Sequence, residues 1–480
     1  MGITRRDALK GLGVAVGSAA LGCSSNTSGF VLGDAGADGG GPPPPPPPDG
    51  PLPRDAPPPS PDAMVPTEQL LAGIDTFVVL CMENRSFDHY LGSLALSERR
   101  TDIEGLVGTE TNPDPNGASI YVHRLEDFTP ADPPHSWNAC HQQWGEGRND
   151  GFVRAHAGGS QSDVMGYHTR DQLPITYALA DGAAICQRYF ASVMGPTWPN
   201  RFYLHAATSR NQRGNAPVSN LPTVFDRLQA AGKTHTNYFH DVPWAFGGYG
   251  KSQGNLKIEK FFEHAEAGTL PNFSLIDPMY FGAGANDDHP SHDIRMGQAL
   301  IATVFKALAA SPQWNRCLFV LTYDEHGGFY DHVAPPTCDD EYDDFKQLGF
   351  RVPTLVAGPT VRRGAGIATS LEHASLAATL TARFGLEPLG RRAQAAATFA
   401  SCIDPARIDD PQPAPELPML SISQSALAAR PAISDDHAEI RAAFDAARLG
   451  PELDRRGEAD AITRRVLAWG ERLGAIQLVD

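Results

Sequence analysis

Phe77 to Gly92 reads FVVLCMENRSFDHYLG, and Cys317 to Pro336 reads CLFVLTYDEHGGFYDHVAPP. The fold turns on how this pair is read. Each stretch opens with an uninterrupted apolar run of strand length, Phe77 to Cys81 and Cys317 to Leu321. Runs without outward polar alternation fit strands covered on both faces, in a mostly parallel sheet. Each run is followed by adjacent oxygen donors, Glu83-Asn84 and Asp324-Glu325. Ligands in open α/β sheets bind just beyond the carboxyl ends of the strands. If the two strands are neighbours, three carboxylates and an amide oxygen meet at one point. That donor set suits one hard divalent cation, Mg, Ca or Mn, and so predicts a metal-dependent enzyme.

Working outward, further apolar runs predict strands over Ala183–Phe190, Phe273–Ile276 and Val352–Ala357. Helices alternate with them: one capped by Ser291 and running to about Ala310, one over Ser370–Phe384, and two near the end, about Asp436–Arg448 and Ala459–Leu473. The expected fold is α/β, with a mostly parallel central sheet and helices on both faces. Gly92 to Pro174 has no clear periodicity and is expected to form a cap or loops over the site.

The amino-terminal residues carry a different message. Thr4-Arg5-Arg6-Asp7 through Lys10 and the short apolar stretch behind it resemble a twin-arginine export signal. Leu21-Gly22-Cys23 resembles a lipobox, with Ala20 where Leu is preferred, so Cys23 is a candidate lipid anchor to a membrane surface. Residues 24–66 hold a Gly/Ala/Asp stretch and an unbroken proline run from Pro42 to Pro48, the composition of an extended linker. The organisation expected is a signal over 1–23, a linker over 24–66 and a catalytic domain over 67–480, in a periplasmic, envelope-bound or secreted protein. The net charge of −17 becomes about −19 without the basic signal segment, which argues against nucleic-acid binding. Besides Cys23 there are six cysteines. Cys81 and Cys317 fall inside core strands, so any disulfide is expected among Cys140, Cys186, Cys338 and Cys402.

A third motif, GPTWPNR from Gly195 to Arg201, places Thr197 at the mouth of a helix with Pro199 in its first turn. Local sequence leaves two roles open: a plain helix cap, or a hydroxyl nucleophile facing the cation. NDDHPSHDIRMG, Asn286 to Gly297, carries His289 and His292, and DPPHSWNAC carries His135. Histidines there could bind phosphoryl oxygens or move protons, although any single histidine is more often a surface or supporting residue. For His326, His332 and His373, near the motifs, structural hydrogen bonding is an equally good account.

Together, ENRSFDHYLG, GPTWPNR, DDHP, TYDEHGGFYDHVAPP and the LEHAS at Leu371–Ser375 resemble the bacterial phosphoesterase family. That family contains non-specific phospholipases C and acid phosphatases and belongs to the alkaline phosphatase-like superfamily. The resemblance implies a cation held by Glu83, Asn84, Asp324 and Glu325 and approached by Thr197 as nucleophile. It implies that His135 and His289 line the phosphate pocket, with His240 in NYFHDVP at a further position. Two departures bear on the substrate. Trp198 stands where many phospholipase C members have His, and no β-rich extension is expected after the catalytic region.

The expected function is phospholipase C action on a phospholipid or small phosphoester through a phosphothreonine intermediate. The alternatives are an acid phosphatase on monoesters and, in another class, a non-catalytic surface lipoprotein on a degenerate scaffold. A sulfatase is disfavoured by the absence of a C-x-P-x-R or S-x-P-x-R nucleophile sequence.

Overall fold

The apolar run that opens the first motif becomes the middle strand of a seven-stranded sheet in the computed structural model of the protein. The structure describes residues 65–425 apart from 157, 159, 251–253 and 283, together with 437–446 and 458–480. The export signal, Cys23 and nearly all of the proline-rich stretch lie outside the described residues. In chain order the sheet strands are β1 (Thr76–Met82), β2 (Ala184–Ile185), β3 (His235–Phe239), β4 (Leu256–Lys257), β5 (Phe273–Asp277), β6 (Cys317–Tyr323) and β7 (Leu355–Ala357). Their spatial order is β2-β7-β6-β1-β5-β3-β4. The five strands from β6 to β4 are parallel, while β7 and β2 are antiparallel to their neighbours.

Every residue of β1 and β6 is buried, so side chains on both faces of the sheet are covered. Each large aliphatic or aromatic side chain placed there contributes roughly 1.5–3 kcal/mol. Helix α1 is Trp137–Trp144, α2 Thr197–Ala206, α3 Ile294–Ala309, α4 Ala374–Phe384, α5 Ala438–Ala446 and α6 Ala459–Arg472. Helix α3 packs against α6, and α4 against α2. The expected α/β class with a mostly parallel sheet is what the chain forms.

Several boundaries differ from the sequence expectation. The Ala183–Phe190 run is not one strand. After β2 the chain turns, Tyr189 N–H donating to the Cys186 carbonyl at 3.0 Å, and Tyr189–Phe190 pairs with Leu371–Glu372 in a separate small sheet. That pairing also takes the first residues assigned to the Ser370 helix, which begins at Ala374. The strand expected from Val352 is paired only over Leu355–Ala357. Asp293, not Ser291, caps α3 by accepting from the Arg295 N–H, while Ser291 sits at φ 78°. Among the described residues all six cysteines are free thiols, with the Cys186 and Cys402 sulfurs 3.6 Å apart. No helix of the described residues is long and apolar enough to cross a membrane.

The segment without periodicity is irregular but packed. It holds α1, two short two-stranded ribbons and a buried cluster of Leu106, Val122, Phe152, Val153, Val164 and Met165 with Phe350. Its task near the sheet is to carry His135, two residues ahead of α1.

Candidate active site

Strands β1 and β6 pair in register from Thr76 opposite Cys317 to Met82 opposite Tyr323. Glu83 and Asp324 therefore leave the sheet level with each other, and Asp324 N–H still donates to the Met82 carbonyl at 3.1 Å. Asp324 Oδ1 then accepts from the backbone N–H of Asn84 at 3.1 Å and of Glu325 at 2.7 Å, stitching the two donor pairs together. Asn84 takes the left-handed conformation at φ 61°, which Asn tolerates well. Opposite it, Gly327 at φ 63° comes so close that a Cβ would stand 2.0 Å from the Asn84 carbonyl oxygen. Only glycine lets these two loops meet.

Helix α2 delivers the hydroxyl. Its N-cap is Pro196, which makes no side-chain cap bond, so Thr197 is the first helical residue and does not act as a cap. Thr197 Oγ1 lies 3.4 Å from Asn84 Oδ1, in hydrogen-bonding position. One turn on, Arg201 reaches the same point, since residues four apart share a helix face. It is fully buried, with Nη2 2.7 Å from Glu83 Oε1, Nε 3.4 Å from Asp324 Oδ2 and Nη1 3.8 Å from Asp277 Oδ1 at the end of β5. In the sequence Arg201 is simply the last residue of GPTWPNR. Its spacing from Thr197 was the available signal.

The supporting histidines sort themselves by contact. His135 Nε2 lies 3.4 Å from Asn84 Nδ2 and 3.8 Å from Glu325 Oε1, while Nδ1 faces the Pro133 carbonyl at 2.8 Å. The His289 ring stands 6.1 Å from that of His135, with Nδ1 2.8 Å from the Pro290 carbonyl. Burial opposes charge on both rings. The Glu325 and Asp132 carboxylates outweigh it at His135 and lift that ring to about 9, whereas burial prevails at His289 and pushes it down to about 3. His240 is buried at the edge of the site, Nδ1 3.3 Å from the Asp277 carbonyl. His326 lies 3.2 Å from Glu325 Oε2, and His373 Nε2 2.6 Å from the Asp324 carbonyl, so both steady ligand candidates from behind. His332 belongs elsewhere, with Asp88 and Arg351.

Asp287 and His437 were not singled out by the sequence. The Asp287 carbonyl accepts from Glu83 N–H at 2.7 Å, its Oδ1 accepts from His289 N–H at 3.0 Å, and its Oδ2 faces His437 Nε2 at 2.9 Å. The DDHP motif held a signal for Asp287. His437 lies far along the chain and had none.

The donor set fits a divalent cation. The buried carboxylates of Glu83, Asp324 and Asp277 share one guanidinium, and Glu325 faces His135, so carboxylates outnumber cationic groups here. Glu83 Oε2 and Glu325 Oε1 are buried without a hydrogen-bond partner. Burial raises the pKa of Glu83 and Asp324 above the usual carboxylate range, and a neighbouring carboxylate adds to it, Asp324 for Glu83 and Glu325 for Asp324. A cation would relieve the same repulsion that a proton does. Among the described residues, the tightest metal-compatible groups are His289/His292/His437, Asp132/His135/His289 and Asp88/Asp331/His332. The three strand-end carboxylates are not so tightly drawn together; Glu83 and Asp324 each give an oxygen to Arg201.

A cleft of about 540 Å³ opens beside this point, lined by His135, Trp137, Asn138, Pro196, Arg213 and Asn215 among others. Asn215 Oδ1 also accepts from the Trp198 N–H at 3.0 Å, in the first turn of α2. A larger cavity of about 820 Å³ lies around Thr67, Arg362 and Ala397, and its lining holds no carboxylate or histidine.

Strand-end carboxylates and a helix-borne hydroxyl thus meet at one end of an α/β sheet. Residues 74–387 match the Phosphoesterase family, and the chain belongs to that family. It is 36% identical over 398 residues to "Non-specific phospholipase C1" of Arabidopsis thaliana, covering 72% of this chain and 74% of that protein. It is 28% identical over 387 residues to "Phospholipase C B" of Mycobacterium tuberculosis, covering 66% and 74%. A solved protein of the alkaline phosphatase superfamily from Vibrio parahaemolyticus aligns loosely, at TM-score 0.33 and 12% identity over 64% of this chain and 78% of that one. The protein is thus a hydrolase of phosphoric ester bonds.

Proposed function

We propose that the protein is a metal-dependent phospholipase C that cleaves the phosphodiester of a phospholipid on the glycerol side, with Thr197 as the attacking group. The observation that carries this reading is the Thr197 hydroxyl, buried at the start of α2 and 3.4 Å from Asn84, one of four strand-end oxygen donors. Glu83, Asn84, Asp324 and Glu325 would hold the cation, which when bound supplies Lewis-acid activation of the hydroxyl and charge for the phosphoryl oxygens.

The chain's own residues account for the rest. The positive end of α2 favours an anionic phosphoryl group in front of Thr197. Thr197 Oγ1 gives up its proton to solvent water and forms the new bond to phosphorus as the bond to the diacylglycerol oxygen breaks. The head-group phosphate is then carried on Thr197 as a phosphothreonine ester. His135, anchored through Nδ1, points Nε2 toward the Asn84 and Glu325 side of the site and donates the proton that the diacylglycerol oxygen needs. His135, now neutral, takes a proton from the water that releases the head-group phosphate, Thr197 Oγ1 regains its proton from solvent as its bond to phosphorus breaks, and His289, its Nδ1 turned to the Pro290 carbonyl, orients that water. His240 supports the Asp277 side. The relatives' names point to a phospholipid rather than a monoester. The segment that resembles a twin-arginine signal and the lipobox-like Cys23 support an exported enzyme, periplasmic, held at a membrane surface or secreted, where such a substrate can be met.

Hydrolysis of phosphatidylcholine vesicles and of p-nitrophenyl phosphate, with and without a chelator, tests the reading. Release of diacylglycerol, lost with chelator and restored by a divalent cation, is expected. Monoester turnover alone would make the enzyme an acid phosphatase, and turnover indifferent to chelation would remove the cation from the account.

A further inference from the structure

His437 stands beyond residue 387, where the family's pattern ends, yet its ring is buried against the phosphate pocket. Its centroid lies 4.6 Å from that of His289 and 5.3 Å from that of Tyr280. Nε2 is 2.9 Å from Asp287 Oδ2, and Nδ1 is 3.7 Å from Glu439 Oε1. Nε2 thus engages Asp287 directly while Glu439 lies across the ring at the other nitrogen, so the ring serves as a donor to a carboxylate.

What it grips matters more than what it is. Asp287 fixes the main chain at Glu83 through its carbonyl and at His289 through Oδ1, and His292 Nδ1 faces that same Oδ1 at 2.5 Å. The remaining oxygen, Oδ2, faces His437. Without that bond the carboxylate is held through Oδ1 alone, and the Asp287 segment that grips His289 and Glu83 loses one of its restraints. The same chain segment is pinned on the other flank. Ile440 and Phe444 of α5 are buried in one cluster with Trp198, the residue next to Thr197, and with Trp244. A Cβ on Gly247 would stand 3.0 Å from the Phe444 ring, so the bare glycine makes room for it. Helix α5 therefore shares a buried cluster with the nucleophile's neighbour, while His437, just ahead of it, faces the phosphate pocket.

We infer that His437 is a positioning residue of the phosphoryl-transfer site, holding Asp287 and through it Glu83 and His289, and that α5 is part of the active site. This rests on the function proposed above. A misplacement of about 1 Å in such a site costs on the order of 100-fold in rate. The test is steady-state kinetics on p-nitrophenyl phosphate and phosphatidylcholine vesicles with the full-length enzyme, His437→Ala and His437→Gln, alongside thermal melts and bound-metal content.

His437→Ala is expected to lose on the order of 100-fold in kcat with a much smaller change in KM. Added imidazole is expected to restore part of that loss. His437→Gln keeps a donor for Asp287, and is expected to fall between wild type and His437→Ala with a melt close to wild type. If His437→Ala does not fold, the kcat of His437→Gln decides. Wild-type kcat in a folded variant would overturn the inference, as would a loss in His437→Gln that only tracks a lowered melting temperature. A second metal ion per chain that disappears in His437→Ala would also overturn it, in favour of a ligand role. A wild type inactive on every phosphoester would instead refute the underlying function.

Discussion

Thr197 has no helix-capping duty, because Pro196 holds the N-cap position and Thr197 Oγ1 is directed at Asn84. Thr197→Ala is therefore expected to keep its fold, with stability changed by less than about 1 kcal/mol, while turnover falls on the order of 1000-fold or more. Thr197→Ser, which keeps the oxygen, is expected to retain partial activity. Urea unfolding alongside kcat separates the two effects, and near-normal kcat in Thr197→Ala would remove the covalent step. A different residue carries a pH prediction. Although burial opposes charge on His332, the Asp88 carboxylate 2.6 Å away raises its pKa above the ordinary 6.5. Burial likewise pushes Asp88 up, but His332 and Arg351 outweigh it and lower Asp88 below its ordinary 3.8. A raised histidine contributes stability that is complete below its unfolded value and fades as pH rises through its folded one. A lowered aspartate contributes above its unfolded value and fades in acid. The melting-temperature gap between wild type and His332→Gln should thus be widest at about pH 5–6, between the ordinary values of the two groups, and narrow as pH rises through the raised histidine value. A gap independent of pH would contradict this pairing.

At the scale of elements, the site was legible where the strands were. β1 and β6 are continuous apolar runs because both sheet faces are covered, and their shared register puts Glu83 and Asp324 side by side. β3 and β4 were missed for a physical reason. They lie at one edge of the sheet, where His235, Thr236 and Lys257 are tolerated and the apolar pattern is diluted. The Ala183–Phe190 run misled because burial alone does not say which sheet a strand joins. The loop meeting of Asn84 and Gly327 was legible only as a Gly-Gly pair. Gly327→Ala would place a methyl on the Asn84 carbonyl and force φ 63° on alanine. A destabilisation of about 1–3 kcal/mol is expected, with an accompanying loss of kcat as Asn84 shifts. Wild-type urea midpoint and kcat in that variant would show that the loops do not need this contact.

Over the whole molecule, the carboxylates of two distant motifs, a hydroxyl near residue 200 and a histidine near 437 meet at the carboxyl ends of one sheet. Local sequence reveals the motifs but not partners brought in from far along the chain, which is why Arg201 was underread and His437 was invisible. The central claim is that Thr197 attacks phosphorus with help from a cation on Glu83, Asn84, Asp324 and Glu325. Rapid acid quench of the wild type with phosphorus-labelled substrate, followed by peptide mapping, tests it most directly. The account predicts label on the peptide containing Thr197 when a divalent cation is present, and none after chelation or in Thr197→Ala. Steady turnover with no label on the protein, or label on another residue, would contradict it.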